Sequence, residues 1–563
     1  MTAFILRATA AATISAAILA LTACGGGGGS GGEPVAPPTP PTTPTDVQIR
    51  ASGASPFAAG CGGSDTGGTL YAGAEVEPFV AINPLDATNF VGVWQQDRWS
   101  SGGAQGLLTG VSFDGGRTWS PRMAAFSRCT GGTPANGGDY ERASDPWVTF
   151  APDGTAYQIA IAFSGENFTA GSANSVLVSR SADGGRTWSD PVTLIRDGGD
   201  FFNDKEAITA DPTDARHVYA VWDRLTVSGT GPAMMSRTTD GGRAWEAPRA
   251  IFNGGEGNQT LNNQVVVLPD GTLVDFFTRF TAGAGTALVV IRSQDKGVTW
   301  SAPVAVADVQ AVGTRDPDAG TPIRDGANLG SIAAGRNGTL AAVWQDSRFS
   351  GGLRDGIAFS RSTDGGLTWT APVRVNSVPT VPAFVPSVHV RGDGTIGVAY
   401  YDLRNNTGDP ATLPTDYWLV RSTDGVNWTE THVSGPFDLA IAPNARGLFV
   451  GDYQALSSVG NVFVPFYAQT NTGNASNRTD IFASLLNSAA AITARAAQAL
   501  SPAGPASGAA TFRATGAPPL AMTPDVSRQL AESVTRTIER RARGTLPRGI
   551  VRAPGPDTPP QTP

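Results

Sequence analysis

The residues of this chain that could do chemistry stand at two recurring kinds of place. One set opens short apolar runs: Glu77, Glu141-Arg142 with Asp145, Asp204-Lys205-Glu206, Asn262-Asn263, Arg324-Asp325 with Asn328, and Asp452-Tyr453. The other set follows a second apolar run, each time shortly after a Trp or Tyr: Asp97-Arg98, Asp223-Arg224, Asp346 with Arg348, and Asp402 with Arg404. Brought together, these would line a pocket of carboxylates, guanidiniums and aromatic rings. Arginine forks suit a carboxylate or sulfate on a ligand. Carboxylates in apolar surroundings suit general acid/base work on a glycosidic bond. A plainer reading stands beside this one. Four repeats of Asp with a nearby Arg are also what one ion pair per structural repeat looks like. Glu206, Asp452 and Tyr453 break the repeat, and for them function and structure weigh evenly.

Composition narrows the rest. The 563 residues include three His and no HExxH or CxxC, so no metal site and no cofactor are expected. The net charge is −8 without any basic run, which argues against a nucleic-acid partner. The Gly tract at 25–32 reads as a linker and not as a phosphate-binding loop.

The elements that must position these side chains announce themselves by repetition. The stretch Ser181-Ala182-Asp183-Gly184-Gly185-Arg186-Thr187-Trp188 recurs around Asp114, Asp240, Asp295, Asp364 and Asp424. An Asp before Gly can accept hydrogen bonds from the backbone of its own turn. The Gly residues supply positive φ. Thr-Trp then restarts a strand, and the indole can wedge between sheets. Each copy therefore reads as strand, Asp-closed turn, strand. With 70 Gly, 41 Pro and 16% charged residues, the chain reads as all-β.

Aligned backwards from these turns, each unit has an inner strand, a second apolar strand, a third leading into the turn and a fourth leaving it. Seven unit starts recur about every 60 residues, the period of β-propeller blades. The last unit, 452–486, shows three strands, and Val47–Arg50 is the candidate fourth. Seven blades are favoured and six remain possible. In an antiparallel blade the start of strand one and the end of strand two share one face, and the Asp turns lie on the other. The polar sets therefore meet on the face away from the turns.

The Asp turns resemble the Asp-box, or bacterial neuraminidase repeat, of the sialidase superfamily. That resemblance covers about residues 75–430. It implies a β-propeller of four-stranded blades in which the boxes themselves are structural. The family holds a substrate carboxylate with three arginines and uses an Asp acid/base and a Tyr nucleophile paired with a Glu. In chain order, the resemblance places Asp145 as acid/base, Glu206 as the Glu partner and Tyr453 as nucleophile. It makes Arg348 and Arg404 two of the arginines. Where the family has Arg-Ile-Pro, this chain has Glu77-Pro78-Phe79, so Arg98 or Arg142 would have to stand for the first arginine. The implied function is an exported, sialidase-like glycoside hydrolase acting on acidic glycans. The alternatives are a non-catalytic propeller that binds glycan or protein, and a polysaccharide lyase with Tyr453 or His389 as base.

The ends read differently. Residues 1–23 carry one cation, Arg7, and then an apolar stretch, as in a signal peptide. They end in Leu21-Thr22-Ala23-Cys24, which resembles a bacterial lipobox and implies that Cys24 is lipidated. A Gly- and Pro-rich tether follows at 25–46. The expectation is a monomer held by a lipid anchor in the bacterial cell envelope, at the outer membrane or in the periplasm or at the cell surface. The two remaining cysteines, Cys61 and Cys129, suit a disulfide in an exported chain, with two buried thiols as the alternative. After the propeller, 47–487, the segment 488–563 reads as a linker, a short helix near 523–543 with apolar residues spaced by four, and a disordered tail.

Overall fold

The computed structural model describes residues 47–63, 67–226 and 229–486. Cys24, the tether and the helix expected near 523–543 lie outside the described residues. Among those described the chain is all-β, with three short 3-10 turns and no α-helix.

The strands form four-stranded antiparallel sheets in simple chain order, as in Phe201–Ala210, Val218–Thr226, Ala233–Thr238 and Arg249–Phe252. The inner strands Leu70–Ile82, Arg142–Phe150, Phe201–Ala210, Gln259–Val267, Ser331–Ala334, Ala383–Val390 and Ala455–Val459 lie each against the next. The last of them returns to pack on Leu70–Ile82, so the sheets close into a β-propeller ring. Val47–Arg50 pairs antiparallel with Thr479–Leu485 and completes the last sheet from the N-terminal side. A closed ring leaves few open strand edges. Cys61 and Cys129, 68 residues apart, are joined by a disulfide.

The apolar runs become the second strands because these are covered on both faces by neighbouring sheets. Phe90–Trp99 is buried almost throughout, and Leu340–Asp346 wholly so. Trp94, Trp222 and Trp344 occupy matching places and are all but fully buried. Burying one such side chain is worth about 2–3 kcal/mol. The core is thus a set of slabs between sheets, such as the one joining Val343, Phe359, Val388, Val398 and Tyr400.

The Asp turns are built as their chemistry dictates. Asp114 accepts from the backbone N–H of Arg117 and Thr118 at 3.0 and 2.9 Å, and from the Thr118 hydroxyl at 2.6 Å. The same pattern recurs at Asp364. Slight burial pushes the Asp114 carboxyl up, but these hydrogen bonds outweigh it and bring it down to about 2. Both oxygens of the carboxylate are engaged within its own turn.

One irregularity matters for function. Five inner strands carry a bulge at the same place, where pairing skips from Val76 to Phe79, Ser144 to Trp147, Asp204 to Ala207, Leu261 to Gln264 and Phe384 to Ser387. The first residue of each bulge has positive φ: Glu77 54°, Asp145 55°, Lys205 50°, Asn262 64° and Val385 49°. Such residues are strained by roughly 1–3 kcal/mol each. A bulge re-aims the side chain it carries.

Candidate functional site

Three successive bulges deliver Glu77, Asp145 and Lys205, and Asp452 comes just ahead of the inner strand Ala455–Val459 of the last sheet. The four side chains meet. Lys205 Nζ lies 2.8 Å from Asp452 Oδ2, 3.0 Å from Asp145 Oδ2 and 3.6 Å from Glu77 Oε1. A second cation enters from the connection ahead of the fifth sheet: Arg324 grips Asp452 through both Nε, at 2.9 Å, and Nη2. Glu77 accepts from Gln95 Nε2 and from the backbone N–H of Asp452 at 3.3 Å. The Ser144 hydroxyl donates to Asp145 Oδ1 at 2.5 Å.

A buried strap packs against the cluster's arginines. Leu448–Phe449 pairs in parallel with Ile323–Arg324, and the Phe449 ring lies under the guanidiniums of Arg324 and Arg98, at 4.4 and 4.9 Å. Glycines flank it, Gly447 with φ 149° and Gly451 with φ 142°. A Cβ on Gly451 would lie 2.7 Å from Tyr453 O, so no larger residue fits there. The side chains of Glu77, Asp145 and Lys205 are 1%, 6% and 4% exposed.

Burial and neighbours drive these groups apart in proton affinity. Burial, with Asp145 and Asp452 adding to it, pushes Glu77 up to about 8 against the pull of Lys205. Burial also acts on Asp145, but Lys205 and the Ser144 hydroxyl outweigh it and hold that carboxyl below its ordinary range. Asp452 is likewise buried, yet Arg324 and Lys205 keep it well below the ordinary carboxylate range. Burial works against the Lys205 charge, but Asp145, Asp452 and Glu77 raise its pKa well above the usual lysine value. Glu77 thus has the higher proton affinity of the two and Asp145 the lower. That is the arrangement of a proton donor and a carboxylate base or nucleophile.

The structure places the sequence-derived candidates unevenly. Asp145 is in the cluster. Glu206, the second residue of its bulge, is buried next to it. Burial and then Asp145 raise its pKa well above the usual value, and neither carboxyl oxygen has a hydrogen-bond partner. Tyr453 donates its hydroxyl to Pro146 O at 3.2 Å and sets its ring 5.5 Å from Trp147. Burial and then four surrounding carboxyl groups hold that phenol protonated, well above its ordinary range. Arg98 reaches Gln95 Oε1 at 2.5 Å, and its Nε has no hydrogen-bond partner. Burial, then repulsion from Arg324, lowers Arg98 to about 10.

Arg348 and Arg404 do not join this group. Arg348 is held by Asp346, with Nε to Oδ1 at 2.8 Å, and by Asp308 O. Arg404 is held by Asp402 and Glu430, each at 2.7 Å, and its guanidinium lies 3.5 Å over the Trp418 ring. In these two units the Asp–Arg repeat is an in-sheet ion pair. In the other two it is not: Arg224 turns to Asp197, and Asp223 is held by Thr260 and the Asn262 backbone. Arg142 donates to Ser101 Oγ and Gly102 O and lies over Trp99. His389 is packed inside a strand pair, with Nε2 2.9 Å from Ser458 Oγ, and burial lowers it to about 4. Lys205, Glu77 and Arg324 were visible in the sequence only as polar residues at strand starts. The signal that sets Lys205 and Glu77 apart is their equivalence to Asp145 in the repeat.

No family model matches the chain. It is 28% identical over 242 residues to a curated xyloglucanase from Paenibacillus sp, across 40% of this chain and 21% of that protein. The chain thus spans about a fifth of the length of that relative. Among solved structures it is similar to a Penicillium chrysogenum alpha-L-arabinanase complexed with arabinobiose, with TM-score 0.39, 15% identity, and 61% of this chain and 94% of that one covered. A Hadza microbial sialidase gives TM-score 0.40 and 16% identity over 70% of this chain and 73% of its own. A variant of NanB sialidase from Streptococcus pneumoniae gives TM-score 0.36 and 14% identity over 74% and 68%.

Proposed function

We propose that this chain is a glycoside hydrolase built on a seven-bladed Asp-box propeller, with its active site at the Glu77–Asp145–Lys205 cluster. The observation that carries the reading is the meeting of two buried carboxyl groups, Glu77 and Asp145, on the one ammonium of Lys205. Glu77 donates the proton to the departing glycosidic oxygen, and Asp145 attacks the anomeric carbon or activates water. Their shared contact with Lys205 favours the short carboxylate spacing of retaining enzymes, about 5 Å, over the roughly 6.5–9.5 Å that leaves room for water. Substrate enters when the Leu448–Phe449 strap lifts about its flanking glycines. Lifting also frees the Arg98 guanidinium, which is suited to a ligand carboxylate. That keeps an acidic, sialoside-like glycan as the first substrate to try. The resemblance of the Asp turns to the sialidase repeat supports the same choice, and the curated relative adds xyloglucan to the panel.

The test is turnover by the full chain of aryl sialoside, aryl arabinofuranoside and xyloglucan oligosaccharide. Release of aglycone or reducing ends from any of the three supports the proposal. No turnover of the three, with glycan binding retained, would replace it by the second reading, a non-catalytic glycan-binding propeller. One observation favours that reading: Glu77, Asp145 and Lys205 are buried.

We place the protein at the bacterial cell envelope through a lipid on Cys24, on the strength of the Leu-Thr-Ala-Cys sequence. Cys24→Ser should move it from the membrane pellet to the soluble fraction. Equal sedimentation of variant and parent would overturn the anchor.

A further inference from the structure

A cavity of about 500 Å³ lies between the Asp turns of the second and third sheets, at the opposite end of the strands from the Glu77–Asp145 cluster. Its walls include Trp188 and Trp245, which end two successive Asp turns, with Tyr157, Arg180 and Ser189. Its size falls within the range of small-ligand sites.

The matching arginine one sheet further on is bound differently. Arg237, the counterpart of Arg180, gives its Nε to Glu246 Oε2 at 2.9 Å and an Nη to Lys296 O in the next turn. Arg361 makes the same inter-turn bond to Asp424 O. Glu246 follows Trp245, and the residue that follows Trp188 is Ser189. Ser189 Oγ accepts from the Arg180 backbone N–H and donates to Asp190 O, both at 3.0 Å, and so stays on the backbone. The Arg180 guanidinium turns instead to the Tyr157 hydroxyl, and its Nε is buried with no hydrogen-bond partner. The Trp188 indole N–H also has no hydrogen-bond partner, as at Trp369 and Trp428, whereas those of Trp119 and Trp300 donate to Gly116 O and Gly297 O at 3.0 and 3.2 Å. Gly242 keeps the wall flat, since a Cβ there would lie 2.7 Å from Tyr157 Cε1.

We propose that this cavity is a second carbohydrate-binding site, which takes a short stretch of a glycan chain. A sugar ring presents a C–H face and a rim of hydroxyls. Two indoles accept the face, having an apolar body and a polar tip. The Arg180 fork, with Thr187, Ser189 and Asp190 around the opening, meets the hydroxyls. A purely apolar ligand would leave the guanidinium unpaired at a cost. The site does not rest on the hydrolase reading, because binding here requires no chemistry at Glu77.

The test is calorimetric titration of the full chain with cellotetraose, xylotetraose, arabinotriose and sialyllactose, beside Ser189→Glu and Arg180→Met. Ser189→Glu installs the arrangement that Glu246 and Arg237 already adopt. It should weaken binding at least about tenfold while hydrolysis of a small aryl glycoside stays unchanged. Arg180→Met keeps most of the stem and should do the same, and it decides the matter should the Glu variant fail to fold. Saturable binding by the parent that both variants weaken supports the site. Absence of saturable binding in the parent, or binding that survives both changes, overturns it.

Discussion

Replacing Glu77 by Gln should lower kcat roughly 10²–10⁴-fold, the range for loss of a positioned general acid, and erase the alkaline limb of the pH–rate profile. Glu77 must carry a proton to act, and burial lifts its pKa to about 8. Activity of the parent should therefore hold through neutrality and fall as pH rises through about 8. The amide cannot donate in the same way, so the variant should show no such fall. Leaving groups give a second readout. A dinitrophenyl glycoside departs without much help, whereas an alkyl glycoside needs the proton. The Gln variant should lose far more on the alkyl substrate. Equal losses on both, or an alkaline limb that survives the change, would remove Glu77 from the role of acid. Asp145→Asn should abolish turnover of both substrates alike, because the carboxylate is required whatever the leaving group.

The Asp turns, the four-strand units and the N-terminal strand that completes the last sheet could be read from sequence because each depends on local chemistry that repeats. The site was harder for a physical reason. In Asp204-Lys205-Glu206 the strand period alone puts one face or the other inward, and a one-residue slip exchanges them. The bulge between Asp204 and Ala207 supplies that slip. It aims Lys205 into the cluster, whereas the sequence drew attention to Glu206. Glu77 was read as a residue in place of an expected arginine. Only its equivalence to Asp145, at a strained position in the next sheet, shows it as half of a carboxyl pair. Phe449 comes from a connection between sheets, where no repeat exists to flag it, and Arg324 stood out only as one polar residue among several at the unit starts. The Asp–Arg pattern gave the opposite lesson. At Asp346–Arg348 and Asp402–Arg404 the repeat marks an ion pair that recurs because the blade recurs.

Replacing Lys205 by Met should cost about 3–5 kcal/mol of folding stability, the scale for removing one member of a buried charge network. The loss should depend on pH. The parent keeps three carboxyl groups around one ammonium, with Arg324 on Asp452. The ammonium is charged throughout, since those acids raise its pKa well above the usual value. Without it, Asp145 loses the main influence that lowers its carboxyl, and Glu77 loses the influence that opposes its rise. Both folded-state affinities for protons then increase. Wherever the folded state binds more protons than the unfolded one, stability falls as pH rises. The variant should therefore be least stable, relative to the parent, above about pH 8, and should recover part of the deficit near pH 5 by protonating its orphaned carboxyls. Urea unfolding of both proteins at the two pH values reads this directly. A deficit that is the same at both, or smaller than about 1 kcal/mol, the scale of an exposed pair, would mean that Lys205 is not the charge that holds the three acids together. Lys205→Arg should not rescue the fold, because a planar fork cannot replace a compact ammonium that meets three carboxyl groups at one point.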